Sequence, residues 1–399
     1  MAYQIAVVIT SARLRMQTTI IKGIQNVDRE VWNLVTAGHA FASWNWCYYG
    51  EQAIGAPGHY VLILENDTPV GGACFYVMHN DFLPIRNPAL HRAVKWYLRR
   101  FPMVVARTAY GTDHTGIFLP ANARQQPPVF EKILEAGKQI TRDNHGSFLI
   151  CDYLEERHLD RRWGNFIRLR DFLDVGTWLN IAQYRSFDDY VEDLRRQKGK
   201  RPVQDIRRHT KRAVECGITV TFSRELPQRE QAIELIQAID EKYEEVFNRP
   251  FTQKIIESVE KLPSDAAFWM SAQHEGKLIA CELILYDPST GICSPYLFGR
   301  DQSVEYSYFY TFYEVIRYAI ETLNARTLIG NAGKEHFKLR LGFEPDYRNH
   351  FAVYTPSPVS RLIANILIVL LNRQESEATA GPSAPDAQNE IELASSQAS

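Results

Sequence analysis

The densest run of chemistry-bearing side chains is Arg195–Arg212, where nine Lys/Arg residues stand against one acid, Asp205. Such a run offers phosphates a surface, whether on tRNA, a lipid headgroup or a phosphorylated carrier. The plainer reading is a solvated helix face. Arg207, Arg208, Lys211 and Arg212 form its C-terminal part, and Pro202 inside it predicts two short helices rather than one. A second group is Asn331, Glu335 and His336, which follow the strand-like run Arg326–Gly330. Histidine titrates near neutral pH and suits proton abstraction, although a lone histidine is more often structural. A third is Thr112-Asp-His-Thr-Gly116, which sets Asp113 beside His114. Adjacent strand residues point to opposite faces, so this spacing is poor for a dyad. The six cysteines form no CxxC pair and no zinc spacing. No metal site is expected, and thiols without a disulfide pattern fit a reducing, cytoplasmic setting.

The elements that must position these groups follow from periodicity. Tyr3–Thr10 reads as a strand and Asp28–Thr36 as a helix. Tyr60–Glu65, the turn Asn66-Asp-Thr-Pro69 and Val70–Met78 read as a β-hairpin. Pro127-Pro128 opens a helix whose apolar face carries Phe130, Ile133, Leu134 and Ile140. The strand Ser147–Asp152 comes next. The second half repeats this order. Ser186-Phe-Asp-Asp189 is a capped helix start. Phe268–Gln273, His274-Glu-Gly-Lys277 and Leu278–Tyr286 form another hairpin. The helix Tyr308–Leu323, the strand Arg326–Gly330, the short helix Glu335–Arg340 and a final strand His350–Tyr354 complete it. Ile133–Gly164 matches Thr311–Gly342 at a constant offset, which is a duplicated domain rather than a solenoid period.

The expected division is therefore 1–175 and 176–354, with a basic helical insertion at 190–213, an apolar helix at 355–373 and a disordered acidic tail at 374–399. The apolar segment Leu362–Leu371, flanked by Arg361 and Arg373, either lies at a membrane interface or packs on the body. A net charge of −2 implies no bulk attraction to nucleic acid or membrane, so any such contact must come from local patches. The apolar run Ile5–Ile9 is too short and lacks the basic flank of a signal peptide.

Hairpin, strand, helix, strand, short helix and Gly-Phe turn, with Phe337-Lys-Leu-Arg-Leu-Gly-Phe-Glu-Pro345 before the last strand, resembles the GNAT (Gcn5-related N-acetyltransferase) order. The tandem copies, Phe187-Asp-Asp-Tyr190, the basic stretch and Gly217-Ile-Thr-Val220 narrow the likeness to the FemAB/BioF2-like branch of peptidoglycan biosynthesis or recognition proteins. The resemblance implies an α/β (α+β) fold of two tandem GNAT-like domains, each a mixed, mostly antiparallel sheet flanked by helices. It implies an N-acyltransferase moving an acyl or aminoacyl group to a small-molecule or carrier-linked amine, with the working site in the second copy. Lys338 matches the lysine that faces the donor in FemAB-like proteins. Arg300 and Ser303 match the phosphate loop, with acyl-CoA or aminoacyl-tRNA as donor. Two departures stand out: Phe337 takes the place of the usual tyrosine acid, with Tyr296, Tyr308 and Tyr310 as substitutes, and Arg300–Ser307 lacks the loop glycines. An aminoacyl-tRNA-dependent transferase and a non-catalytic binding protein are the alternatives. Peripheral contact with the inner face of a membrane is a further expectation, with the basic helix as a site for tRNA or anionic headgroups.

Overall fold

A computed structural model describes residues 16–36, 39–79, 88–108, 114–120, 126–159, 166–242, 249–262 and 266–380. The expected strand Tyr3–Thr10, Asp113 and the tail beyond 380 lie outside these residues. In chain order the first copy comprises β1 (Met16–Lys22), α1 (Arg29–Val35), α2 (Trp44–Ile54), β2 (His59–Glu65), β3 (Thr68–Met78), α3 (Pro88–Arg100), β4 (Met103–Ala106), β5 (Ile117–Phe118), α4 (Gln126–Asp143), β6 (Phe148–Leu154), α5 (Glu156–Leu159) and β7 (Phe166–Leu169). The second begins with β8 (Gly176–Asn180), α6 (Phe187–Lys198), α7 (Lys200–Glu215), β9 (Thr219–Ser223), α8 (Arg229–Lys242) and α9 (Arg249–Val259). It continues with β10 (Ala267–His274), β11 (Lys277–Asp287), β12 (Ile292–Arg300), α10 (Ser307–Glu321), β13 (Thr327–Ile329), α11 (Glu335–Arg340), β14 (Glu344–Asp346), β15 (His350–Tyr354) and α12 (Pro358–Ala380).

The duplication is visible in geometry as well as in order. Both hairpins turn on two residues of positive φ, Asn66-Asp67 and Glu275-Gly276, the conformation that matches the strands' own twist. Each copy also holds one parallel strand pair, β4 with β6 and β12 with β13, joined through a long helix. Local chemistry sets the other boundaries. Ser186 and Asp189 form a reciprocal capping box at the start of α6. The basic run is two helices, but the break falls at Gly199 (φ 86°) rather than at Pro202. Pro202 sits in the first turn of α7, where its missing N–H costs nothing.

Strand pairing adds what the intervals 1–175 and 176–354 do not carry: a strand of the second interval enters the first sheet. β15 lies between β6 and β7 in the first sheet, with Ala352 opposite Cys151 on one side and Arg168 on the other. β8 lies between β13 and β14 in the second sheet. The first sheet is thus completed by a strand from the second interval, whereas β8 pairs within its own interval. The copies also share a core in which Phe41, Trp46 and Tyr60 join Ile236, Trp269 and Leu285. The first sheet is covered on one face by α4, through Phe130 and Ile133. Its other face is covered by α3 and α12, through Val94, Leu98, Ala364 and Leu367.

Candidate active site

β12 and β13 run parallel but pair at only two positions, Ile292 with Thr327 and Cys293 with Leu328. Beyond these the strands part. Opposite the split, β12 carries a bulge against β11: Glu282 pairs with Phe298 and Ile284 with Pro295, so Tyr296 and Leu297 face Leu283 alone. A bulge leaves one residue outside the ladder, here beside the parting strands. One strap crosses the split, from the Asn331 side-chain amide to Pro295 O at 2.6 Å. In the first copy the corresponding β4–β6 pairing runs over four residues. Just past its end, Arg107 and buried Asp152 form an ion pair at 2.5 Å. That bond ties β4 to β6 where the second copy's strands diverge.

Two ionisable groups converge on the second copy's split. Lys338 is 4% exposed. Its ammonium donates to the carbonyls of Gly330 (2.5 Å), Asn331 (3.3 Å) and Ala332 (2.9 Å). Those three bonds match its three donors, so Lys338 clamps the β13–α11 turn and acts outward as a fixed charge. Glu282, partly buried on β11, is its electrostatic partner. Loss of hydration pushes the Glu282 carboxyl up to about 8, opposed by the Lys338 charge. A carboxylate that protonates in this range is suited to take a proton from an ammonium.

Phe337 does no proton chemistry. Its ring packs against Tyr308, Phe309, Phe312 and Tyr313 and fixes α11 on α10. His336 and Glu335 are exposed. They stand two and three residues before Lys338, and His336 leaves the helix roughly 200° around from it. Neither His336 nor Glu335 is buried at the split as Lys338 is. Asn331 is at the split, as the strap described above. Of the tyrosines named as substitutes, Tyr310 is raised by burial, and Tyr296 packs on Phe41 and Trp46 across the copies.

Tyr308 stands in the first turn of α10, flanked by Arg300 at 5.3 Å and Lys334 at 5.9 Å from its ring centre. No side chain caps this helix start, whose dipole favours anions. Ser303 is exposed, and its hydroxyl is bonded to Asp301 at 2.6 Å within a turn. The α7 run is close by. His209 on its buried face bonds Tyr313 Oη at 3.0 Å, and burial holds that imidazole down to about 4. On the outer face Arg207, Arg208, Lys211 and Arg212 are exposed. Arg208 and Arg212 act electrostatically on Tyr306, the residue preceding α10. The basic helix thus lies beside the α10 N-terminus, with Arg208 paired to Asp205 and Lys211 and Arg212 to Glu215.

On the opposite, first-copy side of β12 and β13 is a cavity of about 70 Å³ between the copies. Ile292, Ser294 and Ile329 line it from the parting strands, and His39, Phe41 and His114 from the first copy. His114 Nδ1 and Ser294 Oγ are buried there without a hydrogen bond. Burial, followed by the Arg348 charge, lowers His39 to about 4 and His114 to about 3, so both imidazoles are neutral. Arg348 is held by Asp346 at 2.8 and 3.0 Å. Burial alone would raise Asp346, but those bonds and the Arg348 charge bring it below its ordinary value.

Glu282 and Lys334 were absent from the sequence-level candidates. Glu282 had one available signal: it is the sole charge between Leu278 and Tyr286, in a strand otherwise apolar. Lys334 had none, because its place beside Tyr308 depends on how the turn before α11 folds back.

The fold and the split place this chain among known proteins. The family model FemAB-like, described as peptidoglycan biosynthesis/recognition, matches residues 23–379. No curated protein matches the sequence. Among solved structures, FemX is similar with a TM-score of 0.56 at 10% identity, over 84% of this chain and 98% of FemX. A tandem GNAT protein from the clavulanic acid biosynthesis pathway gives 0.47 at 10% identity, over 86% and 99%. The C-terminal domain of a putative lysylphosphatidylglycerol synthetase from Agrobacterium fabrum gives 0.48 at 9%, over 85% and 95%. At 10% identity the likeness to FemX bears on the fold alone.

Proposed function

The chain belongs to the FemAB-like family, and we propose on that footing that its second copy transfers an acyl or aminoacyl group from an activated donor to an amine. The observation that carries this is the raised carboxyl of Glu282 beside buried Lys338 where β12 and β13 part. The ionised Glu282 takes a proton from the acceptor ammonium. The freed amine attacks the donor carbonyl, and the carbon–oxygen or carbon–sulfur bond to the leaving group breaks. Glu282 returns a proton to the leaving atom, and the new amide nitrogen loses its surplus proton to solvent. A backbone N–H at the β12 bulge is the candidate donor to the developing oxyanion, while the Lys338 charge lowers the cost of negative charge nearby.

Charge favours a polyanionic donor. The α10 N-terminus, Arg300, Lys334 and the outer face of α7 lie together on the α10 side of the second sheet. An aminoacyl-tRNA matches their extent better than the compact diphosphate of acyl-CoA, because Arg207 and Lys211 continue the basic groups along α7. The amine then enters from the cavity between the copies. Its neutral histidines and Ser294 offer the incoming group polar partners, and Glu282 takes the proton at the split.

The test is single-turnover transfer with charged tRNA or acyl-CoA and a panel of amines, followed by mass spectrometry of the amide. Product from the native chain and none from Glu282→Gln supports the proposal. Donor binding without product in both would favour a binding protein of this fold. Product from acyl-CoA alone would reverse the choice of donor.

A further inference from the structure

We infer that α3 and α12 together form a surface that docks on an anionic lipid bilayer. Both helices cover the same face of the first sheet, and both bury one side in the same core: Val94 and Leu98 from α3, Ala364 and Leu367 from α12. That packing accounts for one face of each helix. The opposite faces are not those of an ordinary solvated helix. On α12, Val359, Leu362, Ile366 and Val369 are 65, 61, 49 and 50% exposed. Their spacing of three, four and three residues sets them in one stripe. On α3, Trp96 is 72% exposed, and Phe101 just beyond the helix is 42% exposed. The exposed basic side chains beside them are Arg92, Arg99, Arg100 and Arg361. Neither 88–108 nor 355–374 contains an Asp or Glu.

Aliphatic stripe, tryptophan and arginines without acids are the composition of an interfacial surface, not of a spanning one. No helix among the described residues is long and apolar enough to cross a membrane. Leucine, isoleucine and valine enter the acyl boundary, Trp96 sits at headgroup level, and the arginines meet lipid phosphates. Charge also argues against a second copy of this chain as the occupant. A two-fold interface would set the same four arginines against themselves, with no carboxylate in 88–108 or 355–374 to offset them. The surface belongs to the first copy, whereas the basic groups around α7 and α10 belong to the second, so the two are separable by mutation.

The experiment is flotation of the full chain with vesicles of phosphatidylcholine, with and without phosphatidylglycerol. The native chain is expected to float with the anionic vesicles and to be released by high salt. Leu362→Glu plus Ile366→Glu, and separately Trp96→Glu, should each weaken flotation by about tenfold or more. Arg207→Ala plus Arg208→Ala on α7 should leave it unchanged. All these positions are exposed, and circular dichroism and thermal melting of each variant establish that the fold is kept. Three outcomes overturn the inference: no flotation of the native chain, flotation of the glutamate variants equal to native, or loss of flotation only in the α7 variant. A fourth is a native dimer that the Leu362 and Ile366 variants convert to monomer, which assigns the face to a second copy. Because flotation needs no acyl donor, failure here leaves the transfer reaction untouched, and the reverse holds as well.

Discussion

Glu282→Gln probes both stability and chemistry. The native carboxyl is raised from 4.5 to about 8 by burial. At about 1.36 kcal/mol per pH unit, a shift of this size costs the folded state on the order of 5 kcal/mol when the group is ionised. This is an upper figure, because unfolding is not the only way to hydrate a partly buried side chain. The sign follows from linkage. Between pH 4.5 and 8 the folded state holds a proton that the unfolded chain has released, so stability falls as pH rises through this window. Glutamine keeps the shape of the protonated acid and cannot ionise. Urea unfolding at intervals from pH 5 to 8.5 should show a decline in the native chain that Glu282→Gln largely removes, leaving the variant the more stable of the two near pH 8. Transfer activity should rise with pH through about 8 in the native chain and drop roughly a hundredfold to ten-thousandfold in the variant. Parallel stability curves for the two proteins would refute the buried-carboxyl reasoning, and native-level activity in the variant would refute the role as base.

Lys338→Met removes the charge that opposes the Glu282 shift and leaves three turn carbonyls without their donor. It should destabilise by about 1–3 kcal/mol and move the activity profile to still higher pH, readable from urea midpoints and pH–rate curves. Four histidines, His39, His59, His114 and His209, are held neutral by burial, at about 4, 4, 3 and 4. A depressed imidazole contributes stability above pH 6.5 that is lost as pH falls toward 4; His209→Gln should blunt part of that acid-side loss in thermal melts. Arg207→Ala plus Arg208→Ala should weaken tRNA binding evenly across sequences and lower the slope of log K against log salt by about 2. Truncation after Asp346 removes β15 from between β6 and β7, so the first copy should lose cooperative folding by near-ultraviolet circular dichroism even though its own residues are intact.

Local elements were readable because local chemistry writes them. Asp28 caps α1, Ser186 caps α6, and the two hairpins carry their turn residues in plain sequence. The crossing of β15 was not readable: it alternates as any strand would, and nothing in His350–Tyr354 records whether its partners are β6 and β7 or a neighbour in its own copy. The basic run was legible as two helices, but Gly199, not Pro202, makes the break, because proline is harmless in a first turn. Lys338 and Arg300 were named through resemblance and Asn331 through its place after a strand; Lys338 and Asn331 lie at the split and Arg300 beside the start of α10. Glu282 was not legible, because a single charge in an apolar strand does not record which neighbouring element it faces. His336 misled for the converse reason, since a residue type suited to acid–base work carries no information about which side of α11 faces the split.

The central claim is that the split between β12 and β13 holds the acyl-transfer reaction with Glu282 as its base. The most direct measurement is amide formation by the purified chain from charged tRNA and an amine panel, followed by mass spectrometry at pH 6, 7, 8 and 9. The account predicts an amide product whose rate climbs through about pH 8 and disappears in Glu282→Gln. A pH-independent rate, or equal product from the variant, would contradict it.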